Sequence, residues 1–137
     1  MSVECLLDTN VLVYAAAGQE REVRKRERAR DLLAQAEFGL SAQVLQEFYV
    51  TVVHKIAVPL SPAEAVAWIE QLEAFPCIAI DSSLVKVAAV ISRRFRISYW
   101  DGAILAAAEA LGAGVVYSED LSSGQRYGAI RVVNPFI

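Results

Sequence analysis

The chain has 137 residues, a formal net charge of −3 and an isoelectric point of about 5.2. This length corresponds to one domain with a substantial core, and we expect residues 1–137 to form a single domain. The charge excludes a protein that holds nucleic acid by bulk positive charge, but not one that meets phosphates through bound cations. A hydrophobic fraction of 55% is high for a soluble domain, which indicates either deep burial or an apolar face for a partner.

The sequence contains no signal for membrane insertion or export. No apolar run approaches the roughly 18 residues of a membrane span. The first residues lack the basic segment and long apolar core of a signal peptide. Cys5 and Cys77 both lie in apolar, strand-like settings, which predicts reduced core residues. We therefore expect a cytoplasmic protein that does not contact membranes.

The first stretch predicts a buried strand followed at once by a helix. The apolar run 5–7 stops at Asp8, and Thr9 and Asn10 are favoured helix caps before the helical run 11–17. An acid at this point lies at the carboxyl edge of a sheet, where α/β proteins bind ligands. Considered alone, Asp8 is more simply explained as a helix cap.

Residues 19–30 form a dense run of mixed charge with six basic and three acidic side chains. The run predicts a solvated helix with a narrow buried stripe, although its excess of bases leaves a weak phosphate-steering role open. A short strand at 38–41 follows, and then a helix over 42–56. In that helix Glu47 lies off the apolar stripe, as an ordinary exposed glutamate would. His54 is predicted to be a surface residue, not a metal ligand.

Helix caps and prolines mark the boundaries of the predicted elements in the middle of the chain. Ser61 and Glu64 have the spacing of a capping box that opens a helix near 62–74. A third buried strand is predicted over 77–80. Ser82 or Ser83 then caps a helix that ends near residue 96.

The last third contains two further groups of acids. Ser98 and Asp101 have capping-box spacing at the start of an Ala-rich helix that can pack close to a neighbour and stops at Gly112. Gly102 costs this helix about 1 kcal/mol relative to Ala. A strand at 115–117 ends in Ser118, Glu119 and Asp120. Residues 121–125 are predicted to be loop, and 130–133 the last strand.

The alternation of strands and helices predicts a three-layer α/β/α fold with a central, mainly parallel sheet of about five strands. Asp8, Asp101 and Asp120 then fall on one edge of the sheet, which the cap interpretation does not predict. Carboxylates so placed repel one another unless a cation intervenes, and Mg²⁺ or Mn²⁺ favours all-oxygen sites. The sequence offers no zinc cluster, glycine-rich phosphate loop or nucleophilic triad. Metal-assisted phosphodiester hydrolysis suits acids alone.

Segments 7–12, 41–48, 97–104 and 117–121, with the closing 133–136, resemble the PIN-domain family in its own order. The resemblance is to the VapC-type toxin ribonucleases of type II toxin–antitoxin modules in particular. It implies that the catalytic and metal-binding residues are Asp8, Glu47, Asp101 and Asp120, supported by Thr9, Asn10 and Ser118. For Glu47 the resemblance takes precedence over the helical periodicity, which indicates an ordinary exposed glutamate. Glu119 is offset by one residue from the family pattern, so Asp120 is preferred as the fourth acid. Gly102 stands where the family pattern would have Ala.

This resemblance implies an endoribonuclease that depends on Mg²⁺ or Mn²⁺ and leaves 3′-hydroxyl and 5′-phosphate ends. It implies RNA as substrate and a cognate antitoxin bound in a groove between helices 42–56 and 62–74. A homodimer is also expected. The alternative is a PIN-like module that binds RNA or protein without cutting. A receiver-type phosphoacceptor domain is disfavoured, because Asp8 is followed by Thr9 and the last strand by Asn134.

Overall fold

The computed structural model describes residues 3–137, which contain six strands and six α-helices. In chain order these are β1 (Cys5–Leu7), α1 (Thr9–Ala17), α2 (Val23–Gln35), β2 (Phe38–Ser41), α3 (Ala42–Val50), α4 (Pro62–Leu72), β3 (Cys77–Ile78), α5 (Ser82–Phe95), α6 (Tyr99–Leu111), β4 (Val115–Tyr117), β5 (Arg126–Tyr127) and β6 (Ile130–Val133). A 3-10 turn at Glu20–Glu22 precedes α2, and a π-helical turn at Thr51–Lys55 continues α3.

The strands form one sheet in the order β3-β2-β1-β4-β6-β5. All neighbours pair in parallel except β5 and β6, which form an antiparallel pair. The chain moves outward from β1 through β2 to β3 and then returns to place β4 on the other side of β1. The strand order therefore reverses between β1 and β4, the point at which open α/β sheets form ligand crevices.

Helices cover both faces of the sheet and complete the expected three-layer α/β/α fold. On one side α1 packs against α2 and α3, and α3 packs against α4. On the other side α6 crosses the strands and α5 packs along α6. The core between the layers is apolar and tightly closed: Leu6, Leu7, Leu40, Val116 and Val132 have no exposed surface. Among residues 3–137, no helix is long and apolar enough to cross a membrane.

The predicted caps position several helices. Ser61 and Glu64 form the reciprocal capping box at the start of α4. The Ser98 hydroxyl accepts the backbone N–H of Asp101 at the start of α6. At the start of α1, however, the capping residue is Asp8, which accepts the N–H of Thr9, so the helix begins two residues earlier than the sequence predicts.

The close approach of α5 and α6 depends on Gly102. A Cβ atom at this position would lie 2.6 Å from the Ala88 carbonyl oxygen and 2.9 Å from Cβ of Ser92. The small side chains of Ala88, Ala103 and Ala106 fill the same contact. The Ala-rich helix thus packs closely, as expected, but Gly102 is required by the α5 backbone and does not merely loosen the helix start.

Three local predictions were wrong. The third strand is only Cys77–Ile78, and Cys77 is exposed because β3 is the edge strand of the sheet, whereas Cys5 is buried as predicted. Arg126–Tyr127 forms an extra strand, because a turn at positive-φ Gly128 folds it back on β6. The expected single helix over 42–56 changes to π-helical geometry at Thr51.

Exposed apolar side chains lie on both helical layers. On α3 and α4, the helices that flank the expected antitoxin groove, Phe48 and Leu72 are core residues, whereas Val50 and Val66 are exposed. The most exposed apolar side chains of the helices are Trp100 at the start of α6 and Val90 on α5, each 65% exposed. The high hydrophobic fraction therefore reflects both a well-filled core and an apolar patch on the α5–α6 layer.

Candidate active site

The candidate site lies at the reversal of strand order, because β1 and β4 end side by side. Leu7 is paired with Tyr117, and the backbone N–H of Asp8 donates to the Tyr117 carbonyl at 3.0 Å. This register brings Asp8, the first residue after β1, next to Ser118, the first residue after β4. Two segments about 110 residues apart therefore meet through strand pairing alone.

Asp8 and Ser118 form the buried base of the site. The Ser118 hydroxyl donates to Oδ2 of Asp8 at 2.7 Å, while Oδ1 of Asp8 accepts the N–H of Thr9 at 2.8 Å. The Ser118 oxygen in turn accepts the backbone N–H groups of Asp120 and Leu121 at 3.1 and 3.3 Å. Ser118 thus holds the Asp8 carboxylate and shapes the turn that carries Asp120.

Asn10 links α1 to the same turn. Its Nδ2 donates to Oδ2 of Asp120 at 3.2 Å and to the Ser118 hydroxyl at 3.4 Å. Its Oδ1 accepts the backbone N–H of Glu119 at 3.2 Å. With both ends of its amide in use, Asn10 fixes the direction of the Asp120 carboxylate.

Glu47 reaches the site from α3. One carboxylate oxygen accepts the Thr9 hydroxyl at 2.9 Å, and the other accepts Nε2 of Gln43 at 3.1 Å. The side chain is exposed, as its periodicity predicts, but it is exposed to the cleft beside Asp120. Exposure and a place in the site are thus compatible for Glu47.

Asp101 is the least connected of the four acids. It lies in the first turn of α6, where the Ser98 hydroxyl binds its backbone N–H. Its carboxylate has no hydrogen-bond partner within residues 3–137. The link to the other acids is indirect: Gln43, which donates to Glu47, also donates to the Trp100 carbonyl at 3.3 Å.

Gln43 is a site residue that the sequence analysis missed. Its side chain is only 7% exposed and joins α3 to the start of α6. The available signal was its position one helical turn before Glu47, on the same face of α3.

Glu119 is directed away from the other acids. Its carboxylate accepts the Tyr14 hydroxyl at 2.7 Å and forms an ion pair with Lys25 of α2. Lys25 also lies over the Tyr14 ring, 4.8 Å from its centroid. Glu119 therefore ties the turn after β4 to α1 and α2 and leaves Asp120 to face the cleft.

The electrostatics of the site are dominated by Asp8. The pKa of its carboxyl is raised from 3.8 to about 6, chiefly by burial and to a smaller extent by the nearby Asp120 and Glu47 carboxylates. The hydrogen bonds from Ser118 and from the Thr9 backbone act in the opposite direction and lower the pKa. The native fold thus retains an acid whose ionised form is costly in the absence of a neighbouring positive charge.

This pKa predicts an inverted pH dependence of stability for the metal-free protein. Because native Asp8 binds its proton more tightly than the unfolded chain does, the free energy of unfolding should fall as pH rises from 3.8 through about 6. The contribution is about 3 kcal/mol for a shift of about two pKa units. Urea unfolding in EDTA at pH 5 and pH 7.5 captures about half of this contribution, because at pH 5 the carboxyl of the unfolded chain is already mostly ionised. The decrease between these two pH values should be smaller by about half of the contribution in Asp8→Asn; an equal decrease in both proteins would contradict the assignment.

The donor set fits a hard divalent cation. All four acids and their supports offer oxygen ligands, and the charge repulsion at Asp8 is what a cation would relieve. Within residues 3–137, no three acidic, histidine or cysteine side chains already lie in ligating geometry, so binding an ion requires side-chain adjustment. Asp8, Glu47 and Asp120 are the nearest set, and Asp101 adjoins them through Gln43.

Comparison with known proteins defines the class. The family model described as PIN domain matches residues 5–123. A toxin–antitoxin complex from Klebsiella pneumoniae aligns with a TM-score of 0.72 at 17% identity, over 97% of this chain and 98% of that one. VapC20 of Mycobacterium tuberculosis, described as a sarcin–ricin loop cleaving toxin, aligns at 0.66 and 20% identity, over 85% and 90%. DNA-bound VapBC from Salmonella typhimurium aligns at 0.64 and 19% identity, over 95% and 96%.

The chain belongs to the PIN domain family. The solved structures are below 25% identity and support the shared fold. No curated protein matches the chain.

Proposed function

We propose that the protein is a metal-dependent endoribonuclease and the toxin of a toxin–antitoxin pair. The observation that carries the proposal is the meeting of Asp8, Glu47 and Asp120 at the β1–β4 crevice. Asp101 is linked to them only through Gln43 and the Trp100 carbonyl. Three acids from separate segments, each with its own polar support, are more than helix capping requires. The toxin relatives, one described as cleaving the sarcin–ricin loop, support the choice of RNA.

In this proposal Asp8, Glu47, Asp101 and Asp120 would hold Mg²⁺ or Mn²⁺. A bound ion would supply an acidified water and positive charge beside the phosphate, which would remove the need for a protein nucleophile. The protein's own residues supply orientation: Ser118 holds Asp8, Asn10 holds Asp120, and Thr9 and Gln43 hold Glu47. The cleft beside them is open, which suits a single-stranded or looped RNA.

Cleavage of a fluorescent single-stranded RNA tests the activity. Product should form with Mg²⁺ or Mn²⁺ and not in EDTA. RNA binding without metal-dependent cleavage would favour the alternative of a non-cutting PIN module. The receiver-domain reading would instead require phosphate transfer to Asp8.

Metal binding should also stabilise the fold. An ion that binds the native chain alone adds about 2.7 kcal/mol at a concentration 100 times its dissociation constant. The midpoint of thermal unfolding should therefore rise with millimolar Mn²⁺ or Mg²⁺ at pH 7.5. A midpoint that is unchanged by these ions but rises with zinc would contradict the all-oxygen site.

We further propose a cognate antitoxin and a homodimer as partners. The described toxin–antitoxin relatives support the first, and the exposed apolar side chains of α5 and Trp100 support an interface of either kind. Light scattering of the isolated protein, alone and with the product of the neighbouring gene, measures both. A protein that stays monomeric and does not bind the product of the neighbouring gene would contradict the partner assignment.

A further inference from the structure

The cleft beside the acids extends well beyond them. It encloses about 730 Å³ between α1 and the segment formed by α3 and its π-helical turn. Asp120 and Glu47 line it, and so do two basic residues, Arg21 and Lys55. Acids and bases therefore share one continuous space.

The order of residues along each wall places the two charges at opposite ends. On one wall, α1 begins at Thr9 beside the acids and runs for nine residues, a rise of about 13 Å, before the chain reaches Arg21. On the other wall, Glu47 and Lys55 are eight residues apart on a continuous helical segment, or about 12 Å. Each base thus lies beyond about 12 Å of helix that begins beside the acids.

The side chains of Arg21 and Lys55 are exposed and available for a ligand. Within residues 3–137 neither side chain takes part in a hydrogen bond, and the one ion pair is that of Lys25 with Glu119. Other bases of the charged run serve the fold, since Arg26, Arg28 and Arg30 bind backbone carbonyls. Within residues 3–137 the adjacent Glu22 forms no ion pair with Arg21, and its carboxylate accepts the N–H of Gln19.

The space between the charged ends is lined by a mixture of apolar and uncharged polar side chains. Val13, Ala17 and Val50 line it, and so do Gln46 and Thr51. The apolar side chains suit the face of a ribose or a base. Since none of these side chains is positively charged, the groups that attract the phosphates of a bound strand lie at the ends of the cleft.

We propose that Arg21 and Lys55 form a phosphate-binding subsite that holds the RNA strand flanking the cleaved bond, at the end of the cleft away from the acids. The inference rests on the proposed ribonuclease function. It accounts for an acidic protein that binds RNA: the acids receive metal ions, and the two bases contact the backbone directly. Each phosphate contact to a single strand changes the salt slope of log K by about 0.7.

The test is the double variant Arg21→Gln/Lys55→Gln, with Lys86→Gln/Arg93→Gln on α5 as a control of equal charge change. Fluorescence anisotropy with a single-stranded RNA in EDTA gives affinity against salt, and cleavage in Mn²⁺ gives kcat and KM. In the cleft variant the salt slope should be smaller by about 1.4, and KM about tenfold higher at 0.15 M salt, with kcat retained. The control should match the wild type, and Arg21→Lys/Lys55→Arg should restore the slope.

Equal salt slopes for the cleft variant and the control would overturn the subsite. So would a cleft variant that loses antitoxin affinity but keeps the RNA slope, since the bases would then serve a protein partner. Absence of metal-dependent cleavage in the wild type would instead reject the proposed function. The anisotropy measurements in EDTA do not depend on cleavage, so they test the subsite independently of that result. Equal melting temperatures of the variants exclude misfolding as the cause.

Discussion

Replacement of Asp8 by Asn should abolish RNA cleavage and leave the fold intact. Asn caps helices as well as Asp, so the bond to the Thr9 N–H can be retained. The substitution removes the charge that a metal ion would bind. Loss of outer-shell partners of metal sites costs about 10–100-fold in activity, so loss of a direct ligand should cost more than about 100-fold. Initial cleavage rates with Mn²⁺, together with circular dichroism, measure the effect.

Asp81 provides the matched control for this experiment. It caps α5 through the Leu84 N–H, as Asp8 caps α1, but it is exposed and lies in none of the segments that form the site. Asp81→Asn should leave the cleavage rate unchanged. If Asp8→Asn also retained full activity, Asp8 would be only a helix cap.

Replacement of Gly102 by Ala should destabilise the protein although Ala is the better helix former. The helix gains about 1 kcal/mol in intrinsic propensity. The added methyl group would lie 2.6 Å from the Ala88 carbonyl oxygen, a backbone atom that moves only if α5 moves. Overpacking costs about 1–3 kcal/mol, and a clash with a backbone atom lies at the upper end of that range, so the net loss should reach about 2 kcal/mol. Urea unfolding of the two proteins measures it.

Gly114→Ala is the control for this prediction. No atom lies within 4 Å of the Cβ position at Gly114, so this substitution should be close to neutral. Cleavage should also fall in Gly102→Ala, because Asp101 directly precedes Gly102 and shifts with the start of α6. A Gly102→Ala protein as stable as the wild type would show that α5 can move away from the added methyl group without a loss of folding free energy.

Residues at strand ends were the best predicted part of the site. Asp8 and Ser118 follow strands that pair in register, so strand positions are sufficient to bring them together. The position of Glu47 in the cleft was not predictable in this way. Helical periodicity indicates that its side chain is exposed, but not whether it faces the cleft or the open solvent. Only the resemblance selected it, and its role in the site is still a proposal.

Other features depend on contacts that a periodic pattern does not contain. The exposure of Cys77 follows from β3 being the edge strand, which apolar composition does not specify. The need for Gly102 depends on the distance between two helices. Gln43 acts through the Trp100 carbonyl, a backbone group 57 residues away. Each of these is set by tertiary geometry and becomes visible only when the elements are assembled.

The register of β1 with β4 also sets an order in time. During synthesis Asp8 emerges first, but its partner Ser118 and the neighbouring Asp120 are translated last among the site residues. A nascent chain that stops before residue 118 contains three of the four acids and cannot assemble them. Under the proposed ribonuclease function, an incomplete polypeptide would leave the surrounding RNA intact, since the site would be complete only after the last part of the sequence is made.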